Sequence, residues 1–322
     1  MIKGLAITPP VIGRICIGKL VQKQDKWVPE KDDSFTLTTQ IQQKGGWLLH
    51  PLHQHYSSQK SSQGQEQTKI RAIPVRVLFN DSDLNLRAEY SVFDRHTGRP
   101  ICVGNGELAR RVGAQGMEEV SCSGPERCAF AGQQGCKLYG RLNLFVEGQG
   151  DELGSFIFRT TGYNSVRTLA ARLKYLEAVS GGHTRYLPLT LRLRAKSTTQ
   201  SYRTPVYYVD LTLREETNLT EAVRQAQEAA RRDQEVGLAI EQMEQAAREL
   251  LRNGQFEDID EEVPMLLEEF YPEANNDETA NGNAGVEATT SHAAPQRPQP
   301  RRSPLTNKLG KGTPSPPPVN GG

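Results

Sequence analysis

Apolar and polar residues alternate with a period near two over much of the first 213 residues. The clearest run is 84–92, where Leu84, Leu86, Ala88 and Tyr90 oppose Asn85, Arg87, Glu89 and Ser91. Such alternation predicts half-buried strands. Strand character is read at 14–23, 35–43, 73–79, 84–94, 99–103, 141–147, 155–160, 189–195 and 206–213. His96-Thr97-Gly98 offers a turn between the fourth and fifth of these, which predicts a hairpin. The polar run from Tyr56 to Lys69 reads as a loop.

Period-3.6 spacing appears twice. Val166, Leu169, Ala170, Leu173 and Leu176 predict a helix over 165–179, capped by Asn164 or Ser165 and ended at Gly181-Gly182. A second helix is expected from Leu219 to about Asn253, with Asn218 as N-cap, Glu221 at N3 and Gly254 as terminator. Its stripe of Leu219, Val223, Ala226, Ala230, Ile240, Met243, Ala247 and Leu250 is thin and Ala-rich, and it breaks near Asp233 and Gly237. A thin seam of that kind suits one facing helix. The fold class expected is α+β: a mostly antiparallel β domain with one embedded helix and a Cys-rich metal loop, then a long acidic helix. The boundaries expected are a β-rich core at 1–214, an acidic helical arm at 215–272 and a disordered Pro/Asn/Gly-rich tail at 273–322.

Charge sharpens this division. Residues 137–214 carry 12 Lys/Arg against 5 Asp/Glu, while residues 215–272 carry 5 against 16, although the whole chain is near neutral. A basic segment points to an anionic partner, with DNA foremost. The acidic segment points to a protein contact, to self-association, or to an arm that covers the basic surface. Arg159 and Arg167 flank a Gly-containing turn feeding a helix N-terminus. Arg192, Arg194, Lys196 and Arg203 border a polar loop, with Tyr202, Tyr207 and Tyr208 nearby. Together these six basic residues form the candidate nucleic-acid surface. The bland alternative is a solvated face.

Cys122, Cys128 and Cys136 lie in a stretch rich in Gly, Pro and Gln, with Cys102 upstream. That stretch has little apolar surface to bury, so a thiolate-bound zinc ion is an economical way to order it. Plain thiols, an iron–sulfur cluster or a redox pair are the alternatives. Cys16 alternates with apolar residues and reads as a small core hydrophobe. Five cysteines without a disulfide framework fit a reducing bacterial cytoplasm, and no run is apolar enough to span a membrane.

Catalytic signals are sparse. His50, His53 and His55 cluster beside a polar loop. Asp81, Asp83 and Asp94 are candidate hard-metal ligands, yet the first two sit in a run that reads as an Asx-rich turn. Neither a Walker loop, a Gly-x-Ser-x-Gly elbow nor a His-Glu-x-x-His motif occurs. The chain therefore reads as a non-enzyme more than an enzyme.

Five runs carry a family resemblance: Ile7 to Ile15, Glu30 to Gln40, Leu78 to Tyr90, Gly135 to Leu142 and Phe158 to Ser165. Together they resemble proteins of bacterial integrative elements and phages labelled hydrolase or metal-binding protein. More distantly, the cysteine loop followed by Gly140-Arg141-Leu142 is similar to recombination directionality factors that act with phage serine integrases. The resemblance implies a zinc-binding accessory role in DNA recombination, with DNA and a recombinase as partners. Relatives are expected to carry a cysteine just after Gly104-Asn105-Gly106-Glu107, where this chain has Leu108-Ala109. Cys102 or a water would then be the fourth ligand beside Cys122, Cys128 and Cys136. The alternatives are a metal-dependent nuclease or phosphatase, and a single-stranded-DNA-binding module.

Overall fold

In the computed structural model, residues 9–23, 26–43, 46–58, 69–197, 199 and 203–251 are described. They build one twelve-stranded sheet with helices at its flank. Strands β1 (Val11–Lys23) and β2 (Lys26–Gln43) form a long antiparallel pair, edged by β3 (Gly46–Leu49). Helix α1 (Pro51–Ser57) follows, and then β4 (Ala72–Val77), α2 (Ser82–Asn85) and β5 (Leu86–Phe93). A meander of β6 (Pro100–Gly104), β7 (Leu108–Gly113) and β8 (Gly116–Ser121) extends the sheet outward. Helix α3 (Ala129–Gln134) returns the chain to β9 (Lys137–Val146), followed by β10 (Ser155–Thr160) and α4 (Tyr163–Ser180). A 3-10 turn at Thr184–Tyr186, β11 (Leu189–Lys196) and β12 (Val206–Leu213) precede α5 (Leu219–Glu235) and α6 (Ile240–Leu251).

β9 is the hub. One edge pairs with β10 over residues 140–144, while the other pairs with β5 over 137–142 and with β4 over 144–146. Alternation on β9 sends Leu142, Leu144 and Val146 into the main core and Tyr139, Arg141, Asn143 and Phe145 to the opposite face. Phe156 and Phe158 of β10 and Leu169, Leu173 and Leu176 of α4 complete that core. Gly140 permits the close fit of helix on sheet, since a Cβ there would stand 2.7 Å from Val166 Cγ2.

The α+β class, the mostly antiparallel pairing and the embedded helix agree with the sequence reading. Three details differ. First, α4 begins at Tyr163 with Gly162 as its N-cap, not at Asn164 or Ser165. Ser165 Oγ instead accepts from the buried Val209 N–H, and Asn164 Oδ1 accepts from Lys196. The stop is as expected, with Gly181 and Gly182 at positive φ. Second, Leu84 and Asn85 belong to α2, where the Asn85 side chain accepts from the Leu78 and Phe79 backbones. Third, the long acidic helix is two helices, parted at Gly237 with φ 84.

The stripe on these two helices meets this chain. Ala222 and Ala226 of α5 are fully buried in the main core. Met243 and Ala247 of α6 pack against Leu78, Phe79, Leu84 and Phe145. Small side chains let a helix approach closely, so the Ala-rich seam that suggested a facing helix elsewhere is used internally. No helix among the described residues is long and apolar enough to cross a membrane. The expected tail, and Tyr202, lie outside the described residues.

Candidate functional site

The four cysteines singled out from the sequence arrive at one place. Cys102 comes from β6, Cys122 just follows β8, Cys128 caps α3, and Cys136 directly precedes β9. Cys102, Cys122 and Cys136 share a small cluster with Val92, Ile101, Ala109, Val120 and Phe130, separate from the main core, and Cys128 lies near enough to act on Cys136 through its charge. The chain approaches closely here, as a Cβ on Gly104 would fall 2.6 Å from Cys122 Sγ.

Burial pushes the Cys136 thiol up to about 11, and the negative charge of Cys102, Cys122 and Cys128 adds to the effect. The Cys128 thiol is lowered by the Ala131 backbone N–H first, and then by those of Phe130 and the Arg111 guanidinium. Arg111 Nη2 donates to Cys128 Sγ at 3.6 Å, and its guanidinium lies 4.1 Å from the Phe130 ring centroid. A cation thus already sits against this sulfur cluster. The chemistry of the donors, four soft thiols, fits zinc. Their sulfurs converge without closing on a common centre, and no group of three or more His, Cys, Asp or Glu among the described residues stands in metal-ligating geometry. Cys16, half-buried on β1, is outside this cluster.

The six basic candidates separate. Arg192 pairs with Glu215 at 2.7 Å, Arg194 with Asp210 at 2.6 Å, and Lys196 donates to Asn164 at 2.6 Å. Asp210 is buried, which would raise its pKa, but Arg172 and Arg194 hold it below the usual carboxylate range. Arg167 is exposed on α4, and Arg203 is exposed at φ 64. Arg159 stands on β10 in register with Arg141 of β9, which in turn faces Arg87 of β5. That arginine row is invisible in the sequence, because strand register brings together residues far apart in the chain. The Gly-containing turn before α4 is internally engaged, with the Thr160 hydroxyl accepting from Gly162 N–H. Tyr207 packs against the main core.

The remaining candidates have structural roles. Asp81 caps α2 and pairs with Arg248 at 2.6 Å, Asp83 meets Lys174 at 3.2 Å, and Asp94 closes an Asx turn onto His96 and Thr97. His50 Nδ1 accepts from Leu52 N–H at the start of α1, and His53 Nδ1 accepts from Leu37 N–H. Both acceptor roles require neutral imidazole, and burial lowers both pKa values below 6.5. The unfolded chain therefore binds these protons first, so stability falls as pH drops below about 6.5. The thermal midpoint should decline between pH 7.5 and 5.5, and the decline should be shallower in a His50→Asn/His53→Asn variant. Equal pH slopes in both proteins would refute the assignment.

Residues 12–214 match the family model described as Gp3-like, recombination directionality factor-like. No curated protein and no solved structure matches the chain. The matched span takes in every strand from the first pair to β12, the cysteine cluster and the arginine row, and the chain belongs to this Gp3-like, recombination directionality factor-like family.

Proposed function

We propose that the chain is an accessory factor of a mobile element that sets the direction of DNA recombination by binding a recombinase, with zinc on Cys102, Cys122, Cys128 and Cys136. The observation that carries the recombination role is the family match over residues 12–214. An accessory factor of this kind needs no catalytic residues. It acts by binding one recombinase–DNA arrangement more tightly than another, which shifts the population of productive complexes.

Zinc is supported by four soft donors brought near one another, Cys102, Cys122 and Cys136 in one small cluster and Cys128 beside it. When bound, the ion would supply a structural cross-link among β6, the end of β8 and the starts of α3 and β9. The residues themselves position the meander: Arg111 stacks on Phe130, and Gly104 admits the Cys122 sulfur. DNA contact is proposed for the exposed Arg167 and Arg203, with Arg192, Arg194 and Lys196 beside them. Those three would have to exchange intramolecular partners for phosphate.

The test is a recombination assay with a candidate serine recombinase and its paired attachment sites. Adding the protein should favour excision and suppress integration. A preference change of 1:99 to 99:1 would require a differential affinity of about 10⁴-fold. An unchanged product ratio at saturating protein would refute the reading.

A further inference from the structure

Asp210 of β12 is 2% exposed and holds two arginines on its carboxylate. Arg172 reaches it from α4 and donates through Nε to Oδ1 at 2.9 Å. Arg194 reaches it from the neighbouring β11 and donates through Nε to Oδ2 at 2.6 Å. The Leu211 N–H also donates to Oδ1, at 2.9 Å. Both oxygens are therefore engaged, and the carboxylate is fixed in place. The two arginine side chains nevertheless remain open, at 47% exposed for Arg172 and 43% for Arg194. Each engages Asp210 through Nε, and no hydrogen bond among the described residues uses Nη1 or Nη2 of either one. Tyr208 stands opposite Arg194 across the strand pair, and the Lys196 ammonium lies 5.7 Å from its ring centroid. Lys196 donates to Asn164, a neutral partner that leaves its charge uncancelled.

We infer that Asp210 is a positioning residue that sets Arg172 and Arg194 as a clamp on one phosphate of a DNA backbone. The inference rests on the DNA contact proposed above and adds Arg172 and Asp210 to it. A guanidinium held by Nε presents its two Nη groups as a planar fork, the geometry that phosphate oxygens accept. Two forks anchored on one carboxylate have their Nε atoms no more than about 8 Å apart, within reach of a single phosphate. Taking a carboxylate out of water is costly, and apolar side chains would tie α4 to the sheet more cheaply. An apolar tie, however, cannot orient two half-exposed cations. Guanidiniums already held in place also lose less freedom on binding than unrestrained ones. A phosphate taken by Nη leaves the Nε–Asp210 bonds intact, so in this mode Arg194 keeps its partner. A lone carboxylate could meet the two forks, but it would leave Lys196 unmatched. Lys196 lies two residues along β11 from Arg194, about 7 Å away, where a further phosphate of the same backbone can meet it.

The test measures binding of the full chain to a 30-base-pair DNA duplex by fluorescence anisotropy at fixed salt. Arg172→Lys and Arg194→Lys keep the net charge, yet an ammonium lacks the fork that serves Asp210 and phosphate together. Each should weaken binding about tenfold, the effect of losing one charge-assisted hydrogen bond. Asp210→Asn is the sharper comparison. It removes a negative charge, so a face that attracts DNA by charge alone would bind more tightly. The clamp predicts the opposite sign, a loss of about tenfold, because the amide nitrogen cannot accept from an arginine Nε. Thermal unfolding by circular dichroism checks that Asp210→Asn folds. The two lysine variants, at exposed positions, decide the matter if it does not. Unchanged duplex affinity in both lysine variants, or tighter binding by Asp210→Asn, would overturn the clamp and leave DNA contact to other residues. Losses seen with inorganic phosphate as the probe, but none with the duplex, would overturn DNA as the source of the phosphate. Absence of duplex binding by the unsubstituted chain would overturn the clamp together with the DNA contact it rests on.

Discussion

Cys136→Ser is expected to release the metal and loosen the β6–β8 meander while the main core stays folded. Protein purified without chelator should contain about one zinc per chain, the stoichiometry of a single thiolate site. Structural zinc contributes roughly 10–16 kcal/mol of apparent binding free energy in small thiolate sites, so its loss should dominate the stability of so small a cluster. The effect should be local, because Val92, Cys102 and Ala109 form a cluster of their own. Hydrogen exchange should show lost protection in β7 and β8 and retained protection in β10, whose Phe156 and Phe158 belong to the main core. Cys128→Ser should behave alike, since Cys128 joins the cluster to the start of α3. Metal-free protein with freely reactive thiols at Cys122, Cys128 and Cys136 would sink the zinc proposal.

A chain ending at Thr217 is expected to lose its native fold. It would lack α5 and α6, and with them the buried Ala222, Ala226 and Ala247. Leu78, Phe79 and Leu84 would lose the cover of Met243 and Ala247. Three polar ties would go as well: Tyr186 to Asp233 at 2.9 Å, Arg248 to Asp81 at 2.6 Å, and Asn80 N–H to Glu244. Uncovering three large side chains costs on the order of 4 kcal/mol or more. That is a large share of the roughly 5–15 kcal/mol that holds a domain together. Circular dichroism and thermal unfolding decide the matter. A truncated protein that melts cooperatively at the full chain's temperature would show that the two helices are an independent arm.

These expectations show where sequence patterning was informative. The alternation on β9, β10, β11 and β12 was legible because one face of each is apolar. The stripe of α4 was legible for the same reason, although Ala170 proved exposed. β7 and β8 were missed. Their Arg110-Arg111 and Glu118-Glu119 pairs oppose each other across the hairpin, so the strands lack a clear apolar face. Leu108, Val112 and Met117 point outward instead, each at least half exposed. The cysteines were legible as a group, because type and spacing are local properties. The arginine row was not, since Arg87, Arg141 and Arg159 become neighbours only through register. For α5 and α6 the break at Gly237 was visible, but the destination of the Ala-rich stripe was not. A stripe shows that a helix has a partner without saying which chain supplies it.

The pairing of β1 with β10, the one parallel pairing among the described strands, also sets a timetable for synthesis. Ile15 lies beside Phe158, so the partner of the first strand is about 140 residues downstream. At roughly 5–20 residues per second, the β1–β2 hairpin waits about 7–30 s beside the ribosome for the strand that completes it. During that interval Ile15, Phe35 and Leu37, all buried in the finished protein, have no core to enter. The nascent hairpin is thus a stage at which these apolar side chains are open to aggregation. Rearranging the gene so that β10 is made earlier should shorten that exposure without altering the finished fold.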